Sequence, residues 1–283
     1  MLEIIILLVF GFIWILLALI QDIKKREIDS WINYSLIIFI LGFRFFYTLF
    51  SGESFSEINF FYNGLIGLAI FFVLGNALYY SRFFAGGDYR LFVALGTILP
   101  IYSLISSNFK IMLLFLACFF AAGFIYLLIS IFVLSIKNFI NFKKSFKKEF
   151  IIHKRFLILM TLLGIIFLIL GFFSKPFFIL ALFCLLIAYL LVYVKAVDNS
   201  CMVKSVFSGN LTEGDWLHSD IKIGKKLIKA NWSGLTKEEI KIIQLHKKKI
   251  LIRFGVAFAP VFLIAFLLWI ILIKTGLMNF WIF

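Results

Sequence analysis

Charge is what this sequence has least of. Only 15% of its 283 residues are Asp, Glu, Lys or Arg, where soluble domains carry about a quarter. Acidic residues are the scarcer kind, 14 against 28 Lys and Arg. Cysteine is sparse too: Cys118, Cys184 and Cys201 stand singly, with no C-x-x-C pair. That argues against a zinc knuckle or a dithiol redox site, and Cys118 and Cys184 read as small hydrophobes within helices. His153, His218 and His246 are isolated in basic polar stretches and read as solvated surface residues. The first apolar run follows Met1-Leu2-Glu3, with no basic lead-in and no A-x-A-like end. A retained transmembrane helix is therefore expected there rather than a cleaved signal.

What fills the chain instead is apolar. Hydrophobic residues make up 64% of it, and the mean hydropathy is +1.10. They come in runs of about twenty residues, enough to cross a ~30 Å hydrocarbon core. The expectation is an all-α polytopic membrane protein with about eight transmembrane helices. The spans are Leu2–Gln21, Trp31–Phe50, Phe60–Tyr80, Tyr89–Ser107, Ile111–Ile136, Phe156–Phe173, Pro176–Val194 and Ile250–Ile273. Gly96, Thr97 and Pro100 interrupt the fourth. The 39 phenylalanines read mostly as lipid-facing bulk.

Between Lys195 and Lys249 the chain is polar for long enough to form a small cytoplasmic α+β domain before the last helix. Strand-like pieces near Trp216–Ile223 and Lys226–Trp232 flank Gly224-Lys225, a candidate hairpin turn. Thr236-Lys237-Glu238-Glu239 is a capping-box pattern that predicts a helix through about Lys249. The chain thus divides into four parts: a membrane core over 1–136, a basic loop and added hairpin over 137–195, the polar domain over 196–249, and a last helix within 250–283.

Basic residues collect in alternate loops: Lys24, Lys25 and Arg26; Arg82 and Arg90; Lys137 to Arg155; and Lys195 to Arg253. The intervening loops hold Glu53 and Glu57, and only Arg44, Lys110, Lys175 and Lys274 fall in or beside them. The positive-inside bias puts the basic set in the cytoplasm and the N-terminus outside. This placement, rather than nucleic acid, explains the net charge of +14. The Lys- and Phe-rich stretch 137–155 reads as an amphipathic segment on an anionic leaflet. Arg44, toward the outer end of its span, is expected to snorkel to the interface, and Asn63 and Asn76 to bond between helices.

Two carboxylates remain. Asp22 ends the first span, running inward, and Asp88 begins the fourth, running outward, so both lie at one cytoplasmic depth. Charge at such a depth is costly and marks function. Two carboxylates that meet share a proton: the ionised one deprotonates a bridging water while the other hydrogen-bonds the scissile carbonyl. Asp88 opens a helix and Asp22 closes one, so helix dipoles make Asp88 the ionised partner and Asp22 the proton carrier, provided the first helix stops near Asp22.

The surroundings of both aspartates resemble the membrane-embedded aspartic peptidases that process type IV prepilins and archaeal preflagellins. Their first site, D-x-x-x-R-x-I, is here Asp22-Ile23-Lys24-Lys25-Arg26-Glu27-Ile28. Their G-x-G-D site is Ala85-Gly86-Gly87-Asp88, followed by Arg90 where the family usually has lysine. Ala85 replaces the motif's first glycine, a change that matters if the position needs a positive φ. Leu211–Trp216, Trp232–Thr236 and Phe258–Phe262 are similar to the polar domain and last helix of the archaeal branch.

The resemblance implies catalysis by Asp22 and Asp88 without metal or cofactor, on a prepilin or preflagellin precursor whose basic leader is cut at the cytoplasmic face of the cell membrane. It assigns supporting positions to Gly86 and Gly87. Arg26 and Arg90 are either positive-inside anchors or groups that tune the dyad. No methyltransferase activity is expected, since the cysteine-rich insertion of bacterial relatives is missing. The alternatives are a presenilin-like protease, disfavoured because Gln21 rather than Tyr precedes Asp22, and an ion-coupled transporter, for which no inverted repeat is evident.

Overall fold

The computed structural model describes residues 2–50, 55–102, 104–223, 226–231, 234–245 and 249–275. The expected Gly224-Lys225 turn, the Trp232-Ser233 part of the C-terminal similarity, His246 and Glu53 lie outside them. The protein is a helical membrane protein with a small strand-containing domain before its last helix. Among the described residues six helices are long and apolar enough to cross a membrane. The chain forms two compact units, Met1–Leu127 with Val256–Phe283, and Leu128–Gly255.

The first unit holds α1 (Leu2–Lys25), α2 (Ser30–Phe50), α3 (Phe55–Tyr80), α4 (Gly86–Leu95), the first part of α5 (Ile105–Lys137) and α10 (Ala259–Lys274). Its core is aromatic: Phe84, Phe92, Phe119 and Phe262 are fully or almost fully buried, with Phe119 and Phe262 rings 5.0 Å apart. Indoles find acceptors, half-buried Trp14 on Ser35 Oγ at 3.0 Å and fully buried Trp269 on the Ile111 carbonyl at 3.1 Å, as N–H groups require away from water.

The expected fourth span is helical only in its first half. Leu95, Val93 and Ala94 carbonyls close tight turns onto Ile98, Gly96 and Thr97, and Pro100, with no N–H and with its own preference against a helical predecessor, ends the run. The segment still follows α3 along its length. Val93 lies against Gly75, Gly96 against Gly67 and Phe71, and Tyr102 receives a bond from Asn63. A Cβ on Gly67 would stand 2.1 Å from the Gly96 carbonyl oxygen, so glycine alone permits this approach.

Arg44 does not reach an interface. It is fully buried, donating from Nη1 to the Phe60 carbonyl at 2.6 Å and from Nη2 to the Ile98 and Pro100 carbonyls at 3.3 and 2.6 Å. Snorkelling is overruled because the broken span leaves carbonyls inside the bundle that only side-chain donors can satisfy. Asn63 and Asn76 do bond between segments, to the Tyr102 carbonyl and the Tyr89 hydroxyl.

The second unit continues α5 into α6 (Phe139–Ile152), α7 (Lys154–Gly171) and α8 (Pro176–Cys201). Phe142 and Phe146 of α6 are half-buried, Phe142 on Tyr193 at 5.1 Å, while Phe139, Phe150, Lys143, Lys144, Lys147 and Lys148 are exposed. His153 and His218 are half-buried rather than solvated; His153 Nε2 lies 3.1 Å from Lys195 Nζ and 3.5 Å from the buried Glu149. Then follow β1 (Val203–Phe207), β2 (Trp216–Leu217), β3 (Ile221–Ile223), β4 (Lys226–Ile228), α9 (Lys237–Gln244) and β5 (Lys249–Arg253).

β5 lies between β1 and β2, antiparallel to both, and β3 pairs with β4. The capping box forms: the Glu239 amide donates to Thr236 Oγ1 at 3.3 Å and the Thr236 amide to Glu239 Oε2 at 3.0 Å. α9 ends at Gln244, and Lys249 starts a strand rather than closing the helix. The last span correspondingly begins at Ala259, not Ile250. Ile250 and Ile252 are buried while Lys249 and Leu251 are exposed, the alternation of a half-buried strand.

Candidate active site

Asp22 lies within α1, which runs on to Lys25. Its side chain is only 6% exposed, and its Oδ2 accepts the backbone N–H of Ala259 at 2.8 Å. Ala259 is the first residue of α10, and Pro260 follows at the second position, where a missing N–H costs nothing. The α10 N-terminus thus directs an unpaired amide and the positive end of its dipole at the carboxylate. This overturns the dipole argument from sequence. Asp22 is not the last residue of its helix, and the helix end that acts on it is the start of α10.

Asp88 is the third residue of α4 and is half-buried. The first motif holds the second through Ile28, which is buried. A Cβ on Gly87 would meet Ile28 Cβ at 3.1 Å and the Ile28 nitrogen and oxygen at 3.2 Å. Gly86 has nothing within 4 Å of that position. Ala85 has φ −76° and ψ 165°, ordinary extended backbone, so replacing the motif's first glycine strains nothing.

The loop joining α1 to α2 is tied at several points. The Asp29 amide donates to Gln21 Oε1 at 2.8 Å, Gln21 Nε2 returns a bond to Asp29 Oδ2, and Lys25 lies 3.5 Å from the same carboxylate. Arg26 takes a left-handed φ of 61° and its amide closes on the Asp22 carbonyl at 2.8 Å, ending α1. Arg90 donates to Ser30 Oγ at the start of α2. This bond ties the segment after Asp88 to the start of α2, a contact that neither of its two readings from sequence included.

Sequence reasoning passed over Asn33. It is fully buried, and its Nδ2 lies 3.4 Å from the Gly87 carbonyl. Asn33 Oδ1 has no hydrogen-bond partner. Ala259 was also unassigned, although Phe258–Phe262 had been noted as a whole. A lone Asn in an apolar span was the signal for the first; no local pattern pairs Ala259 with Asp22.

Comparison with known proteins points to the same part of the chain. Residues 9–134 match the type IV leader peptidase family, a stretch that contains both aspartates. A preflagellin peptidase of Methanococcus maripaludis is 27% identical over 152 residues, covering 51% of this chain and 64% of that protein. The chain therefore spans somewhat less than two thirds of that relative's length. No solved structure matches. The membrane core of this chain, residues 9–134, is thus similar to the type IV leader peptidase family, and the matched stretch carries both aspartates and the contact between Ile28 and Gly87.

Proposed function

We propose that this protein is a membrane-embedded aspartic endopeptidase that removes the short basic leader from prepilin-like or preflagellin precursors. The observation that carries the reading is Ile28 seated on Gly87, which packs the motif of Asp22 against the motif of Asp88. Similarity to the type IV leader peptidase family suggests the reaction class, and the two carboxylates supply a way to run it.

Asp22, hydrogen-bonded by the Ala259 amide, is the partner whose charge is compensated, because a donor at a helix N-terminus stabilises a carboxylate. It accepts a proton from the attacking water. Asp88 carries the shared proton and hydrogen-bonds the scissile carbonyl, stabilising the oxyanion as the water oxygen adds to the carbon. Collapse of the tetrahedral species breaks the C–N bond, and the proton held on Asp22 passes to the departing amine. The roles are the reverse of those expected from sequence.

In this reading the basic loops face the cytoplasm of the cell and the precursor's apolar helix lies in the membrane beside the bundle. Residues 1–136 carry catalysis, 137–195 are an added basic loop and hairpin, 196–249 form a cytoplasmic domain, and the last helix completes the site. Arg26, Gly86, Gly87 and Arg90 support the dyad without reacting, and no methyl transfer accompanies cleavage.

The test is cleavage of a purified preflagellin or prepilin by the full chain in detergent, beside Asp22→Asn and Asp88→Asn. Cleavage by the wild type and none by either variant is expected. Activity retained by either variant refutes the dyad, and no cleavage of any precursor by the wild type refutes the peptidase.

A further inference from the structure

The half of the fourth segment that is not helical has its carbonyls answered from other helices. Arg44 of α2 takes those of Ile98 and Pro100. Asn63 of α3 and Asn108 of α5 both donate to the Tyr102 carbonyl, at 3.0 and 2.7 Å, and the Tyr102 amide donates to Asn108 Oδ1 at 2.9 Å. At the other end of the same segment, Asn33 of α2 reaches the Gly87 carbonyl, next to Asp88.

Arg44 is the centre of this arrangement. Its hydrogen-bond partners among the described residues are all carbonyls, its charge stands over the Phe60 ring at 4.4 Å, and Gly64 leaves the room it needs. A Cβ on Gly64 would sit 2.6 Å from Arg44 Cδ. A continuous helix would have satisfied its own carbonyls and required no buried cation. The planar guanidinium fork serves three carbonyls from two directions at once, which a lysine ammonium on a flexible stem cannot reproduce.

We infer that Arg44 is a positioning residue for the reaction: by gripping the unwound chain beyond α4 it sets the register of α4 along α3, and with it the depth at which Asp88 meets Asp22. Arg44 touches neither substrate nor carboxylate; it acts through the backbone of residues 98–100. The catalytic part of this inference rests on the peptidase reading, whereas the register of α4 does not.

The experiment therefore reads both. Gly75 and Val93 report register, since a Cβ on Gly75 would stand 3.0 Å from Val93 Cγ2. In a full chain carrying Cys118→Ala, Cys184→Ala and Cys201→Ala, the pair Gly75→Cys and Val93→Cys is oxidised with and without Arg44→Met or Arg44→Lys. Separately, kcat and KM for precursor cleavage are measured for the two Arg44 variants with positions 75 and 93 unchanged.

Arg44→Met is expected to lower cross-linking and to reduce kcat about tenfold or more, with KM nearly unchanged, because a misplacement of about 1 Å is enough. Arg44→Lys is expected to fall between. Cross-linking and kcat both at wild-type level in a monodisperse Arg44→Met protein overturn the inference, as does lost kcat with cross-linking intact. If Arg44→Met does not fold, Arg44→Lys decides by the same two readouts. If the wild type cleaves no precursor, the peptidase reading fails and the cross-link alone judges the clamp.

Discussion

Ile28 and Gly87 meet closely enough that a methyl group on Gly87 would stand 3.1–3.2 Å from Ile28 and fit only if Ile28 gave by a few tenths of an ångström. One belongs to the motif of Asp22 and the other to that of Asp88, so this contact transmits any shift of one motif to the other.

Gly87→Ala is therefore expected to push the α4 start away from Ile28. We predict a cost of about 1–3 kcal/mol, typical of overpacking, and a fall in cleavage larger than the loss of folded protein. Gly86→Ala, with open space at the same atom, is predicted to be neutral or to stabilise by about 0.4–1 kcal/mol through the unfolded chain. Thermal unfolding in detergent and cleavage rates separate the two; equal effects would remove the contact's significance.

The bond from Ala259 to Asp22 predicts which carboxylate holds the shared proton. Infrared spectra with each aspartate isotope-labelled in turn should show the protonated carboxyl band moving with the label on Asp88. A band that moves with the label on Asp22 reverses the catalytic roles.

Both α1 and α3 are followed by arginines in the left-handed conformation, Arg26 at φ 61° and Arg82 at φ 64°. Glycine adopts that conformation freely, whereas other L-residues lose roughly 1–2 kcal/mol. Arg82→Gly is expected to recover about 1 kcal/mol of that backbone cost, less whatever its side-chain contacts contribute, and to leave cleavage unchanged. Arg26→Gly should relieve the same backbone cost but cleave more slowly, since its charge lies four residues from Asp22. A cleavage rate unaltered by Arg26→Gly would make that arginine a topological anchor alone.

The strand reading of β5 makes a sharp distinction between neighbours. Ile252→Ala, at a position 2% exposed, should destabilise the strand-containing domain by about 2–4 kcal/mol. Leu251→Ala, at 47% exposure, should cost well under about 1 kcal/mol. Had this stretch been the start of a membrane helix, the two would behave alike.

Long apolar runs made the membrane helices legible, because a span needs length and hydropathy and little else. Both carboxylates were legible for the same reason, as rare charges at helix boundaries. The break after Leu95 was signalled by Gly96, Thr97 and Pro100, but Arg44 was misread. A buried cation and one that reaches an interface look identical in one dimension, and what decides between them is a set of carbonyls supplied by residues 98–100. Ile250-Leu251-Ile252 was taken into the last span because an apolar run beside a membrane segment masks a period of two. The Asp22 partner was hidden for a simpler reason: a backbone amide has no side chain to recognise, and its position depended on the whole bundle.

That partner lies 237 positions further along the chain than the aspartate it bonds. A ribosome that has delivered Asp22, Asp88 and the five helices around them has still not delivered the amide that holds the first carboxylate. Synthesis must pass through the entire strand-containing domain before α10 returns to α1. The growing protein thus carries both acids in the membrane well before it carries a finished site, and a chain stopped anywhere between Arg90 and Ala259 would keep every motif residue of the dyad while lacking the group that orients Asp22.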